Sequence, residues 1–454
     1  MFDTERGAHL SQADVLILGA GMCGLAVASA LGKHAIVIER ESRPGGLVRT
    51  ERFGDYWFDH VIHILYFPDE ETERYIRSLV PDLVLCPPKA WVHAAGNRLR
   101  YPFQMHLAGL PREDIVRCLK DLARVSFETR STLSANFEEM LLSTFGEGMC
   151  ELFLFPYNRK VWKRPLTSLS AVGFQWTISP PVFGDVVRGA LDETADYAAY
   201  NSNGWYPRPP EGAPLRGMEV VAASLASQAS DLRLNHEVVG IDLDRHLVTC
   251  LHNEKEVTFS WRRELCNTLP LPALVRLCKQ TPDPLLRAAS RLRWNRVISV
   301  MFCIRGPRPN NCGHWEYFGD ESLSFTRMVY MHPFDPLMAP ADGWCLMAEI
   351  TEPAEEERRP DAEVARLCRE DLCRARLLPV DCEIIHQNVS WIDPAYVVFN
   401  HDRPAIVEQL NAFLNNYGVT TLGRYGEWDY SSVGRVLRDG RKWALSLLES
   451  VPVK

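Results

Sequence analysis

Three glycines and one glutamate near the N-terminus have the residue types and the spacing of a dinucleotide site. Gly19, Gly21 and Gly24 form a G-x-G-x-x-G pattern, and Glu39 follows Gly19 by 20 residues. The first glycine of such a pattern permits a tight turn, the second lets the backbone approach a pyrophosphate, and the third permits close packing of a helix on a strand. A carboxylate at Glu39 would accept hydrogen bonds from the hydroxyls of an adenosine ribose, which disfavours the 2′-phosphate of NADP. The pattern therefore predicts a bound dinucleotide, and the alternative is a glycine turn without a ligand.

A second glycine turn indicates which dinucleotide this is. Gly45 and Gly46 follow Glu39 in the sequence RPGG. A turn just past the ribose-binding acid can pass close to an extended flavin dinucleotide, which favours FAD over NAD. The sequence contains no second G-x-G-x-x-G pattern, so we expect no separate nicotinamide domain.

The elements that must position these residues alternate between strand and helix. An apolar run, the glycine turn, a helix-like stretch and the strand AIVIE form a βαβ unit over Asp14–Gly46. Amphipathic helical stretches follow after about residue 100, and strand patterns dominate 293–351. We predict an α/β fold in which a Rossmann-like FAD-binding lobe is interleaved with a helical and strand-rich substrate lobe. The predicted bounds are 1–95, 215–290 and 385–454 for the FAD-binding lobe, and 96–214 and 291–384 for the substrate lobe.

Composition and charge narrow the class of protein. The 454 residues are 46% hydrophobic and 24% charged, as in an ordinary folded protein. The formal net charge of −8 provides no global positive field that would attract nucleic acid or an anionic membrane. The 13 cysteines are scattered without a C-x-x-C pair, which predicts reduced thiols, and we assign no metal ligands. The N-terminus lacks the pattern of a signal peptide or a membrane span, so we expect a cytoplasmic protein.

The N-terminal segment resembles the fingerprint of the FAD-dependent family that includes amine oxidases, protoporphyrinogen oxidases and UDP-galactopyranose mutases. Four later segments resemble the mutases more closely than the oxidases. In chain order they are YPFQ at 101–104, FPYNRKVW at 155–162, WEYF at 315–318 with Arg327 beyond it, and GRYGEWDY at 423–430. The mutases have YPFQ, RPYNFKVW, W-x-Y-F with a following arginine, and GRFGSWRY in the same order.

The resemblance implies substrate-binding roles for two pairs of residues. Phe103 and Gln104 would line the nucleotide pocket, where a planar ring and an amide suit uracil. Asn158 and Trp162 are four residues apart and would share a helix face that meets the ligand. For YPFQ the alternative is a helix entry with Phe103 in the core. The basic residues within 159–164 would form either a phosphate clamp or a solvated face.

The later segments add residues that would hold a diphosphate and the flavin. Tyr317 and Arg327 would lie on neighbouring strands of a hairpin, with Arg327 making forked contacts to a substrate diphosphate in a catalytic role. Tyr430 matches the family's substrate-binding tyrosine, and Tyr396 matches a further one by the tyrosine alone. Arg424 would lie near the flavin, where positive charge stabilises the anionic reduced form.

The chain also departs from the family pattern. Where the family has Y-D-x-G-G-H in a loop over the flavin, this chain has FDHVIH, so His63 aligns but Val61 and Ile62 replace the glycines. β-Branched residues do not adopt positive φ readily, which would restrict movement of this loop. Ser170–Gly184 contains no counterpart of the family's second diphosphate arginine, and SSVG at 431–434 replaces the family's C-terminal asparagine. We expect His63 to act catalytically by influencing the flavin, and the alternative is a structural histidine.

The resemblance implies an FAD-dependent mutase that interconverts the pyranose and furanose forms of a sugar nucleotide. In that family N5 of the reduced flavin attacks the anomeric carbon, the nucleotide leaves, and the sugar ring opens and recloses without net redox. NAD(P)H entering the same cleft would be the reductant. The lost glycines and the lost arginine favour an alternative, an FAD-dependent oxidoreductase that removes hydride from a small molecule. A third interpretation is a flavoprotein in which FAD is structural and the cleft binds a partner.

Overall fold

Two seven-stranded β-sheets organise the computed structural model of the chain. The structure describes residues 11–128, 134–173, 180–195, 197, 203–379 and 382–450. The strands are β1 (Ser11–Leu18), β2 (Ala35–Ile38), β3 (Thr50–Phe53), β4 (Tyr56–Asp59), β5 (Leu83–Leu85), β6 (Ala90–Ala94), β7 (Asn97–Arg100), β8 (Trp205–Pro207), β9 (Leu232–Arg233), β10 (Glu237–Asp242), β11 (Leu247–His252), β12 (Lys255–Asn267), β13 (Trp294–Arg305), β14 (Trp315–Phe318), β15 (Arg327–Tyr330), β16 (Gly343–Pro353), β17 (Glu383–Val397) and β18 (Val419–Thr421). The α-helices are α1 (Met22–Leu31), α2 (Glu70–Leu79), α3 (Arg112–Phe127), α4 (Phe137–Met149), α5 (Phe155–Trp162), α6 (Phe183–Leu191), α7 (Glu219–Ala226), α8 (Leu271–Leu277), α9 (Asp283–Ala289), α10 (Asp361–Arg374), α11 (Arg403–Asn415), α12 (Gly423–Gly426) and α13 (Val433–Glu449).

The first sheet carries the N-terminal βαβ unit. Its strand order is β10-β11-β12-β1-β2-β9, and β18 pairs with the end of β12. Strand β1 pairs in parallel with both β2 and β12, and helix α1 connects β1 to β2. Most of β1 is buried, which explains its nearly continuous apolar run. This sheet confirms the predicted Rossmann-like α/β fold.

The second sheet has the order β17-β13-β16-β15-β14-β6-β7. Strands β14 and β15 are antiparallel, and Tyr317 lies opposite Arg327, which is the arrangement that their spacing predicts. Strands β15 and β16 are also antiparallel, and Arg327 lies opposite Glu349. Strand β17 begins at Glu383 and pairs with β13 of this sheet, so the pairing crosses the lobe boundary that we predict at 385. The lobe bounds themselves remain a prediction.

A helical layer formed by α3, α4, α5 and α6 packs beside the second sheet. Its core includes Leu122 from α3, Phe137 and Phe145 from α4, Trp162 from α5 and Val186 from α6, all buried. These helices occupy the amphipathic stretches that the sequence predicts after residue 100. None of the helices in the described part of the chain is long and apolar enough to cross a membrane.

The C-terminal segment is held against the N-terminal glycine turn. Gly423 at the start of α12 has φ +76°, and a Cβ there would lie 2.8 Å from Cβ of Cys23. Gly440 in α13 lets that helix approach α1, because a Cβ there would lie 3.0 Å from the carbonyl oxygen of Cys23. The close approach brings Arg424 and the start of α13 to the same end of the first sheet as the G-x-G-x-x-G turn.

Candidate active site

The glycine turn after β1 has the geometry of a phosphate cradle. Gly19 has φ +101°, and a Cβ on Gly24 would lie 2.0 Å from the carbonyl oxygen of Gly19, so neither position tolerates a side chain. A Cβ on Gly21, by contrast, would meet none of the described atoms within 4 Å. Gly21 is the N-cap of α1 and offers no side chain to cap its first N–H groups. Open space therefore coincides at Gly21 with a helix N-terminus that no side chain caps, as a pyrophosphate requires.

The second glycine turn and Glu39 complete this cradle. Gly45 and Gly46 have φ +116° and +57°, and a Cβ on Gly46 would lie 3.2 Å from Cα of Gly21. Glu39 accepts hydrogen bonds from the backbone N–H groups of Ala20, at 2.7 Å, and of Glu41, at 3.0 Å. These bonds hold the Glu39 carboxylate at the mouth of the glycine turn. The residues present thus fit an extended dinucleotide at this point of the chain.

A cavity of ≈ 170 Å³ lies where the second sheet meets the C-terminal segment. Its apolar lining residues include Val61, Ile62, Val297 and Ile392. Its polar lining residues, called the polar wall below, bring together six residues that the sequence predicts to be functional: His63, Tyr317, Arg327, Tyr396, Arg424 and Tyr430. Residues from four distant parts of the chain therefore meet in one space.

The guanidinium of Arg327 is already paired within the protein. Oε2 of Glu349 lies 2.7 Å from its Nε and 2.5 Å from its Nη2. Burial opposes the charge, but the Glu349 carboxylate holds the pKa of Arg327 well above its usual value. Tyr317 and Tyr157 lie near the same guanidinium, and the centres of their rings are 5.5 Å apart. Burial raises the pKa of both phenols.

Arg424 sits among phenols instead of carboxylates. Its Cζ lies 4.3 Å from the centre of the Tyr430 ring and 5.8 Å from the centre of the Tyr396 ring. One N–H donates to the carbonyl of Ala395 at 3.0 Å, whereas the buried Nε has no hydrogen-bond partner among the described residues. This side chain thus brings an unpaired positive charge to the cavity.

His63 is a neutral imidazole in a fixed loop. Burial, reinforced by the charge of Arg424, lowers the pKa of His63 to about 3. Nδ1 lies 3.0 Å from the carbonyl oxygen of Val61, and because a carbonyl can only accept, the proton belongs on Nδ1. The neighbouring His60 is anchored to the second sheet, since its carbonyl accepts from Ser299 and its ring contacts the hydroxyl of Ser390.

Residues 22–401 match the protein family described as flavin containing amine oxidoreductase. The chain belongs to this family. FAD is therefore its cofactor, as predicted, and the chain is an enzyme of the flavin oxidoreductase type.

Solved structures share the fold of this flavoprotein at low sequence identity. A reduced UDP-galactopyranose mutase is 22% identical with a TM-score of 0.89, covering 97% of this chain and 94% of that chain. A triple mutant of putrescine oxidase is 16% identical with a TM-score of 0.60, covering 97% and 100%. A CLA-producing fatty acid isomerase from P. acnes is 12% identical with a TM-score of 0.61, covering 96% and 98%. The predicted superfamily is confirmed, and the fold alone does not choose between isomerase and oxidase chemistry.

Four predicted substrate residues of the flavoprotein lie outside the cavity lining. Phe103 is buried in the helical core against Phe153, with ring centres 5.2 Å apart, and Gln104 is buried beside it. Asn158 and Trp162 share a helix face, as their spacing predicts, and Nε1 of Trp162 donates to the amide oxygen of Asn158 at 3.2 Å. Their substrate-binding roles remain predictions.

The basic run at 159–164 is divided between surface and interior, because Arg159 and Lys163 are exposed whereas Lys160 and Arg164 are held within the protein. Lys160 is buried, and its Nζ donates to three backbone carbonyls at 2.6, 2.7 and 3.0 Å. Burial also lowers the pKa of Lys160 to about 7. Arg164 is paired with Glu355 at 2.9 Å. These two side chains tie structural segments together and are neither a phosphate clamp nor a solvated face.

Sequence reasoning missed three residues of the site. Glu349 accepts a hydrogen bond from Arg327, and the phenol of Tyr157 interacts electrostatically with the same guanidinium. Ser431 lines the cavity, and its buried hydroxyl has no partner in the described structure. The register of β15 against β16 is what identifies Glu349, and the sequence alone does not reveal that register. Ser431 lies in SSVG, which the sequence marks as a departure from the family. The departure at Ser170–Gly184 falls partly on 174–179, which lie outside the described residues.

Proposed function

We propose that this flavoprotein is a sugar-nucleotide mutase, which interconverts the pyranose and furanose forms of its substrate without net redox. The observation that carries the proposal is the chemistry of the cavity. Two arginines and four tyrosines line it, and no carboxylate is among its described lining residues. The side chains on the polar wall are thus suited to an anionic ligand such as a diphosphate.

The same lining disfavours an amine as substrate. A protonated amine would meet the unpaired charge of Arg424 in a space of low dielectric constant, where repulsion between like charges is strong. The cavity provides no described carboxylate on its surface to offset that repulsion. Membership of an amine oxidoreductase family therefore does not favour amine oxidation here.

The two glycine turns would bind FAD, and the cavity would bind the substrate. The cradle of Gly19, Gly21, Gly24, Gly45 and Gly46 would hold the pyrophosphate of FAD, with Glu39 at the ribose and Arg424 near the flavin. When bound in its reduced form, FAD would supply the nucleophilic nitrogen that displaces the nucleotide.

The polar wall would bind and orient the leaving diphosphate. Arg327 and Tyr317 offer N–H and O–H donors from strands whose positions are determined by pairing, so little reorganisation is required. Tyr430, in the segment between α12 and α13, offers a further O–H donor. Val61 and Ile62 line the cavity and would help to exclude water from it, which protects a reactive sugar from hydrolysis. His63 would act as an uncharged hydrogen-bonding group, since its pKa is far below neutrality. NAD(P)H remains the proposed reductant.

A second candidate is an FAD-dependent oxidoreductase acting on a small molecule. It is favoured by Val61 and Ile62, which line the cavity in place of the family's two glycines, and by the missing family arginine in Ser170–Gly184. In this case FAD would accept hydride from the substrate, and no nucleotide would be released.

The test is anaerobic incubation of the reduced holoenzyme with a panel of sugar nucleotides, followed by product analysis. A mutase converts a pyranose to a furanose, requires reduced flavin and consumes no reducing equivalents. Stoichiometric reduction of the oxidised flavin by a substrate, with no sugar isomerised, contradicts the mutase and favours the oxidoreductase.

A further inference from the structure

Glu349 determines the net charge at the Arg327 end of the cavity. It lies on β16 directly opposite Arg327 on β15, and its side chain is only 3% exposed. Its Oε2 accepts a hydrogen bond from Nε of Arg327 and forms an ion pair with Nη2 of the same guanidinium. The guanidinium that lines the cavity is therefore neutralised before any ligand enters.

The second carboxylate oxygen of Glu349 is not satisfied by the protein. Oε1 is buried and has no hydrogen-bond partner in the part of the chain that the structure describes. The nearby phenols of Tyr157 and Tyr396 experience its negative charge, which contributes to their raised pKa after the larger effect of burial. A buried charge with one unsatisfied oxygen is costly for the fold, so stability alone does not account for Glu349.

Arg424 provides the contrast within the same cavity. It makes no ion pair with any described carboxylate; it donates to the backbone carbonyl of Ala395 and lies over the rings of Tyr430, Tyr396 and Tyr425. The two arginines thus differ in whether a carboxylate neutralises the guanidinium. One arginine of the lining has its charge cancelled by Glu349, and the other has no carboxylate partner among the described residues.

We propose that Glu349 is a positioning residue that holds the Arg327 guanidinium and lowers the affinity of the cavity for anions. Arg327 then offers directed N–H donors within a neutral ion pair. These donors orient a diphosphate without binding it so tightly that its release is slow. The inference rests on the proposed function, because it takes a diphosphate as the group that the polar wall binds.

The test uses inorganic pyrophosphate as the probe, titrated into the oxidised holoenzyme and followed by the change in flavin absorbance. Glu349→Gln preserves the size of the side chain and an acceptor for Arg327 while removing the negative charge. We expect Glu349→Gln to bind pyrophosphate at least tenfold more tightly than the wild type, with a steeper loss of affinity in added salt. Glu316→Gln is the matched control, since Glu316 is a buried carboxylate of β14 that pairs with Arg98 and His93, away from the cavity lining.

A second variant tests the same effect of the Glu349 charge if Glu349→Gln fails to bind FAD. The double variant Arg327→Gln with Glu349→Gln replaces the ion pair by two neutral amides and leaves the net charge of the cavity unchanged. We expect the double variant to bind pyrophosphate more weakly than the wild type, because the Arg327 N–H donors are lost, but at least tenfold more tightly than Arg327→Gln alone, in which the buried Glu349 charge is unpaired and repels the anion. A double variant that binds no more tightly than Arg327→Gln alone, or unchanged or weaker binding in Glu349→Gln, would overturn the inference. Because pyrophosphate binding needs no turnover, these outcomes are distinct from a failure to convert sugar nucleotides.

Discussion

Tyr317 and Arg327 lie directly opposite each other on the antiparallel strands β14 and β15. Opposed residues of antiparallel strands point to the same face of the sheet, and both of these side chains line the cavity. A hydrogen bond from Arg327 also favours the ionised form of Tyr317, although burial dominates and raises the pKa of this phenol. Strand pairing therefore positions this donor pair, and a substitution of either side chain leaves the backbone of the site in place.

Arg327→Ala should lose roughly 2–5 kcal/mol of substrate or transition-state binding, the range for truncating one partner of a buried charged pair. The loss has two sources, since the variant removes the N–H donors and leaves the Glu349 carboxylate buried without its partner. Steady-state kcat/KM with the sugar nucleotide that the wild type converts measures the effect. Retention of kcat/KM within threefold of the wild type would remove Arg327 from the site.

Gly21→Val should yield colourless protein, because the valine side chain would fill the open space that the pyrophosphate needs. Gly240→Val is the matched control, since a Cβ at Gly240 in β10 also meets none of the described atoms within 4 Å but lies away from the glycine turn. Flavin absorbance per mole of purified protein measures the result. Full flavin content in Gly21→Val would show that the dinucleotide binds elsewhere.

The local parts of this site were predictable from sequence, and the parts that depend on register were not. The roles of Gly19 and Gly24 follow from a backbone rule that acts within a few residues, and the structure has the expected close approach. Glu349 is 22 residues from Arg327, and only the pairing of β15 with β16 brings the two together. Sequence patterns do not determine which strands pair or in which register.

Burial is the other property that the sequence could not supply. YPFQ marks a real structural feature, but the ring of Phe103 packs against Phe153, which a distant helical segment contributes. Lys160 stands in a run of basic residues that is typical of a surface, yet three backbone carbonyls surround its ammonium group. Whether a long side chain is solvated depends on the loop that covers it, which in this case is the segment after β14.

Asp59 should make the stability of the protein depend on pH. It is fully buried, and burial raises its pKa to about 7, although Thr50, Tyr206 and the backbone of Met218 donate to it. A carboxyl whose pKa is higher in the folded than in the unfolded state stabilises the fold below the unfolded value, near 4, and that stabilisation disappears as pH rises through about 7. The contribution of this group amounts to roughly 4 kcal/mol at most.

Unfolding of the wild type and of Asp59→Asn in denaturant, from pH 4 to pH 8, measures this effect. The free energy of unfolding of the wild type, relative to that of the variant, should fall as pH rises across this range. A difference that is constant with pH would contradict the raised pKa of Asp59.

His63 should not contribute an inflection to the pH profile of the reaction between pH 5 and pH 8. Burial lowers its pKa to about 3, so the imidazole is neutral throughout this range. The stability that this neutral state contributes is present above the unfolded pKa, near 6.5, and is lost only as pH falls toward 3. The pH profiles of kcat/KM for the wild type and for His63→Asn should have the same shape. An inflection near pH 6.5 that disappears in His63→Asn would identify His63 as a titrating acid or base.

The proposed mutase isomerises a sugar nucleotide without net redox. Products and electrons can be counted together in one anaerobic reaction of the reduced holoenzyme with the sugar-nucleotide panel. We expect many furanose products formed per flavin, with the flavin still reduced at the end and no activity from the oxidised enzyme. Oxidised enzyme that takes up two electrons for each substrate consumed, with no furanose formed from any member of the panel, would contradict the proposal.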